Sequence, residues 1–172
     1  MAVGGLIASG KSSVARRLAA QLGAELLCAD EIRADLAERG APDALLPGFS
    51  RRLYPELLAR ARAVLADGGS VVLDGTFRSR ALRAAARNLA RECGVPFRFV
   101  ECRAGHAACR ERLRRRERAQ GRPGWLALFE HFLELWEAVD ELPAEEHLMV
   151  DTSGPPGSLV DLELGLPGRA LR

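Results

Sequence analysis

Residues 5–12 read GLIASGKS, two glycines five positions apart that are followed at once by a lysine and a serine. Glycines let backbone N–H groups turn inward around phosphate oxygens. Lys11 can reach the β- or γ-phosphate of a nucleotide, and the Ser12 hydroxyl can bind Mg²⁺. Lys11 is also the only lysine in a chain of 172 residues. The pattern therefore predicts a phosphate-binding loop.

The residues on either side of this loop have the patterns of a strand and a helix. Residues 1–3 can form a strand, and residues 12–22 form an amphipathic stretch that Gly23 ends. Such a helix points the positive end of its dipole at the phosphates. Only three residues precede Gly4, so either the fold accepts a short strand or the chain begins upstream of Met1. The sequence leaves both interpretations open.

A second candidate feature follows the short apolar segment 25–28, which has the pattern of a buried parallel strand. Asp30 stands just before a predicted helix over residues 31–38, where it has the type and position of an N-cap. The alternative is functional, because ligands bind outside the carboxyl ends of parallel strands. There Asp30 can accept a proton from an attacking hydroxyl while Arg33 holds an anionic group.

Residues 70–74 form an apolar strand that ends in Asp74. A carboxylate at the end of such a strand is what the Mg²⁺ shell of a nucleotide site requires, so Asp74 and Ser12 are the predicted metal ligands. A plain Asp-Gly turn is the alternative, and the apolarity of the strand favours the metal ligand. Arg78 and Arg80 follow as candidates for substrate contacts, the alternative being two solvated arginines.

An arginine-rich segment occupies residues 105–118, with six arginines in the nine positions 110–118. Arg112 and Arg116 are four residues apart and share one face of the predicted helix. A Gly/Pro loop follows at 121–124, so residues 110–124 suit a lid that closes cations over transferring phosphates. An RNA-binding patch and a solvated charged face are the alternatives, although no aromatic residue is interleaved for base stacking.

The remaining segments complete an alternation of helices and strands. Further helices are predicted at 53–66, 79–92 and 125–140, strands at 97–102 and 147–150, loops at 40–50 and 151–154, and a short helix at 159–164. The loop 151–154 is expected against the nucleotide base. One α/β domain over residues 1–154 with a tail at 155–172 accommodates all of these elements.

Composition restricts the class of protein further. A net charge of +2 gives little support to nucleic acid as the main partner, although it does not remove that possibility. No apolar run approaches the ~20 residues that span a bilayer, and the first residues lack a signal-peptide pattern, so a cytoplasmic protein without membrane contact is expected. The four cysteines show no metal-binding spacing and are predicted to be reduced thiols.

Taken together, these motifs resemble small P-loop kinases of the nucleoside-monophosphate-kinase type. The similarity is greatest to the AAA-like ATP-binding kinase domains grouped with polynucleotide kinase, zeta toxin and gluconate kinase. It rests on residues 5–13, 28–33, 73–77, 110–116 and 150–153. The resemblance implies a P-loop NTPase fold: a parallel five-stranded sheet of order 2-3-1-4-5, flanked by helices and carrying a helical, arginine-bearing lid.

The resemblance also implies roles for individual residues. Asp30 would be the general base, and Arg33 would bind substrate; Arg78 and Arg80 are further substrate candidates only by their position after the strand. Lys11, Arg112 and Arg116 would act on the transferring phosphate. The predicted ATP-binding residues are Gly5, Ala8, Ser9, Gly10, Lys11, Ser12, Ser13 and Arg112. The Ser-Asp-Ala segment that many relatives carry after the lid is absent, and residues 121–125 stand in its place.

Three functional hypotheses follow. The first is an ATP- and Mg²⁺-dependent phosphotransferase acting on a hydroxyl of a small molecule. The second is a non-catalytic module that senses ATP, and the third is a polynucleotide 5′-kinase. The sequence does not identify the acceptor, and it leaves open whether the chain is a monomer or is fused to or partnered with another domain.

Overall fold

A computed structural model describes residues 1–40, 49–121 and 123–154 of the chain. The five strands are β1 (Ala2–Gly4), β2 (Glu25–Cys28), β3 (Val71–Asp74), β4 (Phe99–Arg103) and β5 (His147–Asp151). The six helices of the described residues are α1 (Lys11–Leu22), α2 (Ala29–Glu38), α3 (Ser50–Ala66), α4 (Arg80–Glu92), α5 (His106–Gln120) and α6 (Trp125–Glu134). The predicted helix 159–164, the tail and most of the loop 40–50 lie outside the described residues.

The strands form one parallel sheet of order β2-β3-β1-β4-β5, which confirms the predicted topology. β1 is central although it has three residues, because it pairs with β3 on one side and with β4 on the other. Ala2 lies opposite Leu73 and Phe99 in the two registers. The strands are nearly continuous apolar runs because helices cover both faces of the sheet.

Successive side chains of each strand point to opposite faces and build two cores. Leu73 and Phe99 pack with the buried faces of α3 and α4 on one side of the sheet. Val72 and Val100 pack with α1 on the other side. A third, smaller cluster joins α5 and α6 to the phosphate-binding loop through the buried residues Ile7, Cys109, Leu113 and Phe129. The arginine-rich helix is therefore anchored beside the loop.

Helix α6 is shorter than the sequence pattern predicted, since it ends at Glu134 instead of continuing to residue 140. Beyond it the backbone bonds to other parts of the chain. The Glu137 amide donates to the Arg78 carbonyl over 2.9 Å. The carbonyls of Glu137 and Ala138 accept from Arg83. These tertiary hydrogen bonds replace helical hydrogen bonds, so the periodic pattern overestimated the length of the helix.

Arg83 on α4 is fully buried, although its position in an Ala/Arg-rich helix does not distinguish it from exposed arginines. Its guanidinium pairs with the Glu141 carboxylate and donates to the carbonyl of Phe77 over 3.1 Å. The guanidinium also donates to the two carbonyls after α6, and so supplies the hydrogen bonds of a buried polar cluster. Arg83 thereby joins the loop after β3 to the segment that leads into β5.

Replacing Arg83 with leucine is expected to lower the free energy of unfolding by about 3–5 kcal/mol, because it leaves the partners of a buried ion pair without a donor. Arg80→Ala is the matched control, since Arg80 begins the same helix and pairs with Asp140 on the surface. That exposed pair should contribute only about 0–1 kcal/mol. Urea unfolding of both variants measures the difference, and equal losses would contradict the role assigned to Arg83.

Within the described ranges, the structure contains no helix that is both long and apolar enough to cross a membrane.

Candidate active site

The loop GLIASGKS connects β1 to α1 in a conformation that depends on its glycines. Gly5 has φ 150°, and a Cβ there would lie 2.5 Å from the Cys102 carbonyl oxygen. Its amide donates to the Thr76 carbonyl over 3.2 Å, which ties the loop to the end of β3. Gly10 has φ 87° and precedes α1 without a side-chain cap. The first turn of α1 carries no acidic residue, so its positive end is available to an anion.

A cavity of about 230 Å³ opens over this loop. Its lining brings together Ala8, Gly10, Lys11, Ser12, Ser13, Arg112 and Arg116, all of them predicted ATP-binding or lid residues, with Arg16, Thr152 and Gly154. Gly5 and Ser9 lie buried beneath it. Arg16 was missed at the sequence level. The available signal was its spacing, because Arg16 stands one helical turn after Ser12 and donates to the Ser12 carbonyl over 3.1 Å.

Asp74 ends β3 as a buried carboxylate that is only 3% exposed. Its Oδ2 atom accepts from the Cys28 thiol over 3.5 Å. Its Oδ1 atom has no hydrogen-bond partner among the described residues. A buried carboxylate oxygen without a donor is costly, and a cation would satisfy it. Asp74 therefore fits the Mg²⁺ ligand that the sequence predicted, with the Ser12 hydroxyl in the nearby cavity as its counterpart.

Asp30 lies exposed in the first turn of α2. The N-cap interpretation of this residue is wrong, because α2 already begins at Ala29 and its N-cap is Cys28, with no side-chain bond. Burial raises the pKa of the Cys28 thiol above its ordinary value, and the nearby charges of Asp74 and Asp30 raise it further. Of these two carboxylates, that of Asp74 contacts the thiol directly.

Two of the three predicted substrate arginines contact neighbouring residues at the beginning of α3, Arg33 at Phe49 and Arg78 at Ser50. The guanidinium of Arg33 lies 5.5 Å from the centroid of the buried Phe49 ring, and that of Arg52 lies 5.8 Å from it. Arg78 donates to the hydroxyl of the adjacent Ser50 over 3.2 Å. Arg52 was missed at the sequence level because nothing in its local pattern distinguishes it from a solvated arginine.

Arg80 occupies a different environment from Arg33 and Arg78. Its guanidinium pairs with Asp140 at 2.6 Å, and both side chains are more than half exposed. Among the residues that the structure describes, no contact joins the Arg80 side chain to Phe49 or Ser50. Its role in substrate binding stays a prediction.

Tyr54 connects α3 to the phosphate-binding loop through the end of β3. Its buried hydroxyl lies 3.0 Å from the Thr76 hydroxyl and accepts from the Phe77 amide over 3.0 Å. The Thr76 carbonyl in turn accepts from the Gly5 amide. α3, the end of β3 and the phosphate-binding loop therefore form one hydrogen-bonded unit.

Most arginines of α5 are paired with carboxylates. Arg110 binds Glu130, while Arg115 and Arg118 bind Glu111, with Arg114 at 4.0 Å from it. The solvated-face interpretation describes these four residues well. Arg116 differs from them, since its guanidinium lies 4.9 Å from the centroid of the Trp125 ring and lines the cavity.

Arg112 joins three parts of the site. Its Nη1 donates to the Ala8 carbonyl over 3.1 Å. Its Nη2 donates to the carbonyls of Thr152, Ser153 and Gly154 over 2.7, 3.2 and 3.0 Å. Arg112 thus fixes the loop after β5 against the phosphate-binding loop, and Thr152 and Gly154 of this loop line the cavity. Contact of the segment 151–154 with the nucleotide base stays a prediction.

Residues 1–134 match the profile of a protein family described as the AAA domain. The chain belongs to this AAA domain family. Proteins of Mycobacterium bovis and of two Mycobacterium tuberculosis strains, described as uncharacterized, are 39% identical to this chain over 97 residues. The alignment covers 51% of this chain and 20% of theirs, so this chain matches about a fifth of the length of these relatives.

Several solved structures similar to this chain are described as kinases. A gluconokinase from Sinorhizobium meliloti superposes with a TM-score of 0.67 at 24% identity, over 92% of this chain and 85% of that one. A sugar kinase from Janibacter gives 0.66 at 23% identity, over 92% and 88%. The APS kinase of M. tuberculosis, solved in complex with AMPPNP and APS, gives 0.56 at 25% identity, over 91% of each chain. This chain therefore has the P-loop kinase fold.

Replacing Arg112 with alanine is expected both to destabilise the protein and to weaken nucleotide binding. Hydrogen bonds from a charged group are worth about 1.5–3 kcal/mol, and Arg112 makes several to carbonyls of two loops. Arg115→Ala is the matched control, because Arg115 lies on the same helix and is 75% exposed. Melting temperature and ATP affinity measure both effects. A variant that behaves like Arg115→Ala in both assays would contradict the role of Arg112.

Proposed function

We propose that this protein is an ATP-dependent phosphotransferase that moves the γ-phosphoryl group of ATP to a hydroxyl of a small molecule. One observation carries the proposal. The cavity over the phosphate-binding loop holds Lys11 and Ser12, and the buried Asp74 with its unpartnered oxygen ends the neighbouring strand β3. The P-loop kinase fold supports phosphoryl transfer as the general activity.

Different residues around the cavity would contact different parts of the bound ATP. The backbone amides of the loop and the N-terminus of α1 would hold the phosphates, and Lys11 would contact the β- and γ-phosphates. Ser12 and Asp74 would hold Mg²⁺, which when bound neutralises charge on the phosphates. Arg116 would face the phosphates from the lid, while Arg112 shapes the wall of the cavity.

The acceptor would lie between α2 and the beginning of α3. Asp30 would accept the proton of the attacking hydroxyl while the oxygen of that hydroxyl forms a bond to the γ-phosphorus. The bond from the γ-phosphorus to the bridging oxygen breaks, and ADP leaves with that electron pair. Arg33 and Arg78 would hold an anionic group of the acceptor, with Phe49 as the floor beneath Arg33. An alcohol that also carries a carboxylate or phosphate fits this arrangement.

A non-catalytic ATP sensor would use the same cavity but would not need Asp30 as a base. A polynucleotide 5′-kinase would need a surface for the nucleic-acid backbone. In the described part of α5, four arginines that could supply one are paired with Glu111 or Glu130. The small-molecule kinase therefore remains the better-supported function.

The test is transfer of label from γ-labelled ATP across a panel of sugars, sugar acids, nucleosides, antibiotics and oligonucleotide 5′-ends. We expect a labelled product with an acceptor that carries both a hydroxyl and an anionic group. A protein that binds ATP and labels none of the panel would favour the sensor. Labelling of oligonucleotides alone would favour the polynucleotide kinase.

A further inference from the structure

The last residues of β2 and β3 form a pair whose chemistry the proposed mechanism does not use. Cys28 lies directly opposite Asp74 in the parallel register of the two strands. Both residues therefore end their strands at the carboxyl edge of the sheet, where the phosphate-binding loop also begins. The Cys28 thiol is half-buried and Asp74 is almost completely buried.

The two oxygens of the Asp74 carboxylate have different surroundings. The Cys28 thiol donates to Oδ2 over 3.5 Å, while Oδ1 has no partner among the described residues. A carboxylate with one oxygen held and the other free has a fixed plane and a fixed direction for its remaining lone pairs. Hydrogen bonds of this kind commonly orient the residues that ligate metals.

We propose that Cys28 is a positioning residue that holds Asp74 with Oδ1 directed at the bound Mg²⁺. The inference rests on the proposed function, because it takes Asp74 as the Mg²⁺ ligand. A thiol suits the task for a physical reason. It is a weak donor, so it orients the carboxylate without neutralising the charge that the cation needs. A stronger donor at this position, such as an arginine, would compete with the cation for Asp74.

Packing is the competing explanation for a cysteine here, since a half-buried cysteine often serves as a small apolar residue. The two explanations predict different variants to be harmful. A positioning role requires a donor, so Cys28→Ser should retain most of the function and Cys28→Ala should lose it. A packing role makes the serine variant at least as harmful as the alanine variant, because serine brings a hydroxyl into an apolar gap.

The experiment measures how much Mg²⁺ strengthens the binding of a non-hydrolysable ATP analogue. Calorimetry gives the analogue's dissociation constant in EDTA and in saturating Mg²⁺, and the ratio of the two is the metal-dependent gain. We expect Cys28→Ala to lower this gain about tenfold, the low end of the range for lost outer-shell partners of metals. The dissociation constant in EDTA should not change. Cys93→Ala is the matched control, because Cys93 is also half-buried but caps α4.

Asp74→Asn in the same assay separates failure of the inference from failure of the metal site. If Asp74→Asn lowers the gain while Cys28→Ala leaves it unchanged, the positioning role is wrong and the proposed Mg²⁺ ligand stands. If Asp74→Asn leaves the gain unchanged, both are wrong. Equal weakening by Cys28→Ala with and without Mg²⁺ would assign Cys28 to packing and overturn the inference.

Discussion

Lys11→Ala is expected to abolish phosphoryl transfer and to weaken the binding of MgATP roughly 10- to 100-fold, because charged hydrogen bonds are worth about 1.5–3 kcal/mol. Lys11 is the first residue of α1 and lines the cavity with Ser12. It is also the only lysine of the chain, so no neighbouring ammonium group can replace it. Transfer should suffer more than binding, because negative charge on the transferring group must be stabilised in the transition state.

Arg91→Ala is the control for this variant, since Arg91 is an exposed cation in the last turn of α4. It removes the same charge from the protein without touching the cavity. Calorimetry with MgATP and a transfer assay on both variants measure the two effects. If Lys11→Ala bound and transferred like Arg91→Ala, the loop at residues 5–12 would not be the phosphate site.

The phosphate-binding loop and the end of β3 could be predicted from the sequence because their chemistry is local. Gly5 and Gly10 are needed for the backbone itself, one where a side chain would meet Cys102 and the other at positive φ. Asp74 ends an apolar, buried strand, where a carboxylate is not needed for contact with water. These motifs resemble those of P-loop kinases, and that resemblance predicted the sheet order, which the structure confirms.

The beginning of α2 shows where a local rule failed. Aspartate before a helical pattern predicts an N-cap, yet β2 passes into α2 without a connecting loop. Cys28 ends the strand in an extended conformation and is itself the N-cap. Asp30 therefore lies in the first turn of α2 and is exposed. The sequence does not show how many residues a strand-to-helix junction uses, so helix boundaries carry an uncertainty of one or two residues.

The contacts that tie the site together could not be predicted, because they join residues far apart in the chain. Arg112 reaches the carbonyls of Ala8 and Thr152, 104 and 40 residues away. Arg83 is one of many arginines in α4 and α5, and only the fold identifies it as the buried one. Arg78 and Arg80 look alike in sequence, although one contacts Ser50 and the other Asp140. Tertiary packing alone distinguishes such residues.

Asp30→Asn is expected to lower turnover by roughly 10²–10⁴, the usual contribution of a positioned acid or base. Stability should change little, because Asp30 is exposed and makes no side-chain cap. Its charge near the N-terminus of α2 is worth about 0.3–1 kcal/mol. ATP affinity should also be retained, since the cavity over the phosphate-binding loop does not include Asp30.

Glu31→Gln is a closely matched control for this variant. Glu31 is the next residue of the same helical turn, is also exposed and carries the same charge. Its substitution removes an equal contribution to the helix dipole and an equal share of the local negative potential. Any loss of turnover that Asp30→Asn shows beyond Glu31→Gln therefore belongs to the position of the Asp30 carboxylate.

Turnover of Asp30→Asn beside Glu31→Gln, with ATP affinity and melting temperature taken on the same samples, tests most directly whether this protein is a phosphotransferase. We predict that both variants bind ATP and melt like the wild type, and that only Asp30→Asn loses turnover, by at least about 10²-fold. Equal turnover in the two variants, with ATP binding intact, would contradict the account. The protein would then have no base at the acceptor side, and the ATP sensor would become the better description.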